Sequence, residues 1–337
     1  TDYFNTKLYT GNGSTNAITG VGFQPDFVWQ KSRSNAEGHG LFDVLRGVTN
    51  RIQSNTLNAE SSIAGSLQSF DSDGFTVGND VGANGNGQTF ASWNWKANGQ
   101  GSSNTEGSIN TTYTSANTTS GFSIIQYTGN ATASATIGHG LGKIPTMIIF
   151  RRYAQAENWD VYHQAIGNAK SIRLNETGAA FDNATALTST TPTSNLITLG
   201  TSVTTNANGN PMIAYCFADV QGFSKMGSYI GNGNADGTFA YTGFKPAFVM
   251  TRPSSGVGSW YMLDNKRANP FNVVTGRLEA DGSGTENTGF TWCDFTSNGF
   301  KIRTTEGGIN ASGVTFIYMA FAEEPLVSTN GNAATAR

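Results

Sequence analysis

Of the residue groupings in this chain that could do chemistry, the turn Phe70-Asp71-Ser72-Asp73-Gly74-Phe75 comes first. Two carboxylates on a tight Asp-x-Asp-Gly turn can offer oxygen ligands to a hard cation such as calcium. No glutamate follows at EF-hand spacing, and the matching stretch Phe295-Thr296-Ser297-Asn298-Gly299-Phe300 has neither acid. A polar turn ahead of a strand accounts for both versions, so no metal site is assigned to Asp71 and Asp73. The three histidines, His39, His139 and His163, lie away from any Cys or carboxylate at metal-ligand spacing. His39 and His139, each between glycines, read as turn residues. His163 takes the place that Asp43 and Asp264 hold in matching stretches and reads as a polar surface position. Cys216 and Cys293 are non-equivalent and read as buried free thiols. GxSxG, Walker A and HExxH motifs are absent, and no repeated acid pair points to glycosidic cleavage. The Gly-rich runs at Gly11 to Ser14 and Gly231 to Asn234 precede no helix and read as hairpin turns. No catalytic residue and no cofactor is assigned. Aromatic side chains remain: Trp159 and Trp260 align with each other just ahead of a short strand, where exposed indoles would stack on sugar rings. They are the candidate ligand-binding residues. Trp29, Trp93 and Trp95 lie in apolar strands and read as core.

The elements that would position these residues occur three times. Tyr9-Thr10-Gly11-Asn12, Tyr127-Thr128-Gly129-Asn130 and Tyr229-Ile230-Gly231-Asn232 each lead to a proline (Pro25, Pro145, Pro246) and an apolar strand. An Asn-x-x-Gly turn (Asn84 to Gly87, Asn206 to Gly209, Asn310 to Gly313) then precedes an alternating strand. The landmarks recur roughly 100 to 120 residues apart, the length of a small domain. Short aromatic and β-branched runs between Gly, Asn and Asp are the pattern of antiparallel sandwiches. The expected fold is all-β: three tandem related antiparallel β-sandwich domains, lectin or jelly-roll-like. The boundaries are 1–97, a linker at 98–120 with an edge strand in it, 121–219, 220–326 and a mobile tail at 327–337. The polar linker is expected to be the flexible joint, with the second and third units docked around Val220. The strand Phe316 to Phe321 is apolar on both faces, so it is central in its sheet or covered by a partner.

Composition excludes several classes. The 337 residues include 42 glycines, only 13% charged residues and a formal net charge of -3. Without a Lys/Arg cluster the electrostatic attraction that nucleic acid requires is missing. No apolar run approaches the ~20 residues that span a bilayer, and no signal-peptide segment opens the sequence. The reading is a chain with neither nucleic acid nor membrane insertion among its partners.

The phrases YTGNGSTNAITGVGFQPDFVWQKSRS, LFDVLRGVTNRIQSNT, SFDSDGFTVG, TFASWNWKANG and FIYMAFAEEP closely resemble a family of phage structural proteins abundant in marine viruses, described as tail-fibre or uncharacterised virion proteins. The resemblance runs from Tyr3 to Pro325. It implies a place on the virion exterior and carries no site residue. The expectation is a non-enzymatic fibre or spike subunit that adheres to host-surface glycan, with other virion proteins as partners and a homo-oligomer, the trimer of phage fibres, as its state. A capsid-decorating or head-fibre protein with a structural role is the alternative. A polysaccharide depolymerase is the third reading.

Overall fold

The phrases that repeat in sequence build the same strands three times. The Tyr-x-Gly-Asn phrases end opening strands at Phe4–Thr10, Phe122–Thr128 and Ser224–Ile230. The stretches after each proline form Phe27–Ser32, Met147–Arg152 and Phe248–Pro253, and the closing phrases form Thr89–Trp95, Pro211–Phe217 and Thr315–Phe321. In every unit the closing strand lies between the opening and post-proline strands of one antiparallel main sheet. A short fourth strand, Gly40–Asp43, Trp159–His163 or Tyr261–Asp264, pairs with the post-proline strand. A smaller sheet accompanies each main sheet, with Asn16–Thr19, Ala135–Gly138 or Phe239–Tyr241 at its edge. The chain is all-β and antiparallel. The computed structural model describes residues 2–267 and 272–322; the expected tail, 327–337, lies outside them.

Period-two alternation gives each closing strand two buried faces with different destinations, apolar on both in units two and three and carrying Ser92 and Asn94 on one in unit one. One face meets the unit's own small sheet. In unit one, Val28 and Phe42 of the main sheet cluster with Ile18, Phe75 and Val77, and in unit two Ile125 and Ile148 cluster with Ile137 and Ile197. The opposite faces of the three main sheets meet one another. Trp93 and Trp95, Tyr215 and Phe217, and Met319 and Phe321 belong to one continuous buried cluster. Rings cross between units there: Phe27 stacks on Tyr215 at 4.5 Å, Phe4 on Phe321 at 5.3 Å, and Phe217 meets Phe321 edge-on at 5.8 Å. Each fully buried ring of this size contributes roughly 1.5–3 kcal/mol. The doubly apolar closing strand is therefore both central in its sheet and covered, the cover being the other units of the same chain.

The segment 98–120 is tied down along its length. Tyr113–Asn117 adds to the edge of unit two's main sheet, with Thr114 opposite Ile125 and Ser115 opposite Ile124. Before it, Ile109 is buried and its N–H reaches Thr136 O at 2.9 Å. Gly107 permits this approach, since a Cβ there would lie 2.4 Å from Thr136 O. At the near end, Asn98 N–H donates to Ser115 Oγ at 2.8 Å and Asn117 Nδ2 to Ala97 O at 3.2 Å. Hydroxyl and amide side chains satisfy the backbone that an apolar segment would have buried.

The Asn-x-x-Gly asparagines are clamps. Asn84, Asn206 and Asn310 each end a single helical turn and are fully buried. Their Oδ1 atoms accept the N–H of Asn12, Asn130 and Asn232, and their Nδ2 groups donate to Gly78 O, Gly200 O and Thr304 O at 2.7 Å. The hairpin after each opening strand is thus fastened to the turn before each closing strand, a structural use of the most recurrent polar residues in the chain.

Candidate functional site

Trp159 and Trp260 are fully buried, and neither ring has a face for a sugar. The expectation of exposed stacking residues is corrected here: both are seam residues. An arginine covers each indole, Arg151 and Arg252 lying 5.2 Å from the ring centroids. Trp159 Nε1 donates to Gln53 O of unit one, and Trp260 Nε1 to Arg173 O of unit two, both at 2.9 Å. Unit one answers with His39, whose Nε2 donates to Glu279 O of unit three at 2.9 Å. The three accepting carbonyls are equivalent, each following the buried aliphatic residue, Ile52, Ile172 or Leu278, that pairs with the fourth strand. These bonds close a ring of three seams.

A second set closes the same ring. Asp43, His163 and Asp264 are the register partners of Phe27, Met147 and Phe248. Tyr215 of unit two donates its hydroxyl to Asp43 Oδ2 at 2.7 Å, and Trp93 of unit one donates Nε1 to Asp264 Oδ2 at 3.0 Å. Arg46 and Arg267 hold those carboxylates at 2.6 Å, all four side chains fully buried. In the remaining seam His163 Nε2 donates to Tyr318 O at 3.1 Å, and its Nδ1 accepts Ala165 N–H at 3.2 Å. His163 is fully buried, and the surface position expected for it is corrected. Burial holds its pKa down to about 4 and that of His39 down to about 3. His139 is also buried and held low by burial, its Nε2 donating to Thr193 O.

The carboxylates of Asp71 and Asp73 turn to separate partners. Asp71 accepts from Thr76 Oγ1 at 2.7 Å, and Asp73 from Gly20 N–H and Gly22 N–H at 2.9 and 2.7 Å. Those backbone donors hold the Asp73 carboxyl below its ordinary range. Cys216 and Cys293 are buried and unpaired with each other.

Open aromatic faces occur elsewhere, on unit three's small sheet. Phe239 and Tyr241 flank buried Ala240 on the edge strand and are 42% and 65% exposed. Alternation puts both rings on the outer face, and glycines back them. A Cβ on Gly299 would lie 2.8 Å from the Phe239 ring, and one on Gly243 about 3.6 Å from Tyr241. Tyr318 Oη donates to Tyr241 O at 3.1 Å, which holds the strand in place. Beside Tyr241 a cleft of about 470 Å³ is lined by Asp219, Gln221, Ser224, Lys225 and Thr242. An Asp219–Lys225 ion pair borders it. Two flat apolar rings next to a cleft bordered by a charged pair can hold a ligand with one apolar and one hydroxylated side. The register equivalents are Ala17 and Thr19 in unit one, and Thr136 and Gly138 in unit two, where the linker covers them. Sequence reading missed this site because three residues are too short a run to stand out; the available signal was an aromatic pair where the other repeats have small or hydroxylated residues.

No curated protein and no solved structure matches this chain. One family model, for a domain of unknown function designated DUF7483, matches residues 1–325 and so spans all three units. The chain belongs to this DUF7483 family.

Proposed function

We propose that this chain is a non-enzymatic virion surface protein, a fibre or spike subunit, that adheres to host-surface glycan through the Phe239–Tyr241 face. The observation that carries the reading is the pair of open, glycine-backed rings beside the Asp219–Lys225 cleft. A sugar presents an apolar C–H face to such rings and hydroxyls to the neighbouring charged pair. The resemblance to phage structural proteins supports the location on the virion. A single weak site gains avidity when many copies are displayed on one particle.

The test is binding of host cell-wall or capsular polysaccharide to the purified chain, followed by ligand-observed NMR. Wild type binds, and Phe239→Ala with Tyr241→Ala lowers affinity at least tenfold. Absence of binding at millimolar saccharide, or equal binding by the double variant, overturns the reading. Capsid decoration is the second reading, favoured by the continuous core that joins three units into one body. Hundreds of copies per particle, with no saccharide binding, would select it.

A further inference from the structure

Unit two shows how the free edge of a main sheet is used. The strand Tyr113–Asn117 lies antiparallel along Phe122–Thr128, and Thr112 N–H donates to Gln126 O at 2.7 Å. Its side chains fit against Gly140, whose Cβ would meet Ala116 Cβ at 3.0 Å. Unit one has the same edge, in Phe4–Thr10, with no added strand among the described residues. Tyr3 O and Gly11 N–H bond the closing-strand side. Alternation therefore turns the N–H and C=O of Thr6 and Leu8 outward, as their counterparts Ile124 and Gln126 turn theirs to the added strand. In place of that strand is a groove of about 310 Å³ lined by Asn5, Thr6, Lys7, Leu8, Gly20 and Lys266. Gly20 precedes Pro25 by the same five residues that separate Gly140 from Pro145, and both glycines have positive φ. The hydroxyl of Thr6, itself 4% exposed, is a buried polar atom without a partner.

We propose that this groove accepts an extended strand of a second protein, added antiparallel to Phe4–Thr10 and carrying an acidic side chain. The main-chain groups of Thr6 and Leu8 supply affinity, as in other sheet-edge recognition. Charge supplies the selection. Lys7 is the register counterpart of Ile125, which faces Thr114 of the added strand in unit two. Lys266 reaches the same groove from unit three. An acidic residue at the Thr114 position of the incoming strand therefore lies directly across from Lys7, the cross-strand arrangement in which opposite charges stabilise. A small residue follows it, since Ser115 is fully buried at the next position in unit two. This site is independent of the aromatic face on unit three.

The experiment titrates the full chain with a fluorescent peptide of residues 111–119 carrying Thr114→Glu, read by anisotropy and amide hydrogen exchange. Binding is accompanied by at least tenfold slower exchange at Thr6 and Leu8, with Ile124 and Gln126 unchanged. Lys7→Glu weakens binding at least tenfold, and a peptide with Thr114→Lys restores it to that variant, which separates lost charge pairing from lost folding. No binding at millimolar peptide overturns the proposal, as does protection confined to Ser224–Ile230. Concentration-dependent dimers abolished by Lys7→Glu would give the groove to a second copy, and that too overturns it.

Discussion

The aromatic residues of the seams and those of unit three's outer face have opposite economies. Trp159, Trp260 and Trp93 are shut in, and each donates its N–H to one carbonyl or carboxylate of a neighbouring unit. Phe239 and Tyr241 present their rings to solvent over glycine. The seam positions have counterparts around the ring, while the outer pair is peculiar to one unit. In a molecule made of repeats, what the units share serves closure of the ring, and what one unit has alone is free to serve a ligand. Substitutions that separate stability from binding test this division.

The largest effect belongs to the seam between units three and one. Asp264→Ala takes the nearer of two carboxylates from the fully buried Arg267, leaving only Glu286 at 3.0 Å, and removes the acceptor of Trp93. Breaking a buried pair from one side costs about 3–5 kcal/mol. Urea unfolding should show that loss within one cooperative transition, because the three units share a core. Adding Arg267→Met should recover part of it, since a well-packed apolar replacement for a buried pair is often neutral and Glu286 keeps Arg33 as its partner. A loss under about 1 kcal/mol would mean that this seam does not hold the ring closed.

The next effect separates the histidine seam from the two carboxylate seams. In the folded chain His163 is held down to about 4 by burial, with Tyr318 O and Ala165 N–H on its two nitrogens and Asp219 as the charged group acting on it. Unfolded, it titrates near 6.5. Between those values the unfolded chain binds more protons, so its contribution is intact above pH about 6.5 and lost as pH falls toward 4. For His163 alone the loss amounts to roughly 3 kcal/mol at pH 4. His163→Gln should flatten the fall of the urea midpoint between pH 7.5 and 4.5. An unchanged slope would place the acid sensitivity elsewhere.

These seams also mark the limit of what the residues reveal in order. Three repeats, the alternating closing strands and the proline-led strands are local patterns of period two, and local patterns carry all-β architecture. The double apolar faces of Phe316 to Phe321 announced a cover. They could not say that the cover was the rest of the chain, because the contacts join residues such as Tyr215 and Asp43 that lie 172 positions apart. The exchange of Asp43 and Asp264 for His163 reads as surface tolerance in a list of repeats. In space it is one buried acceptor or donor exchanged for another as the partner unit changes from Tyr215 or Trp93 to a backbone carbonyl. The alignment of Trp159 with Trp260 was a sound signal of shared role, but a stacking platform and a seam donor leave the same mark in sequence.

The smallest effects give the sharpest contrast. Trp260→Phe keeps the buried ring but removes the N–H, leaving Arg173 O without that donor. Arg173 O keeps Arg252 Nη1 at 2.6 Å, so the cost is that of one lost hydrogen bond, about 0.5–1.5 kcal/mol. Tyr241→Ala removes an exposed ring whose hydrogen bond to the protein runs through its backbone carbonyl, which the substitution retains. Its effect on unfolding should stay within about 0.5 kcal/mol, as for most surface changes. Saccharide binding should move the other way, unchanged in Trp260→Phe and weakened in Tyr241→Ala. If Tyr241→Ala destabilises as much as Trp260→Phe, the outer rings belong to the scaffold, and the division between shared seams and a unit-specific face fails.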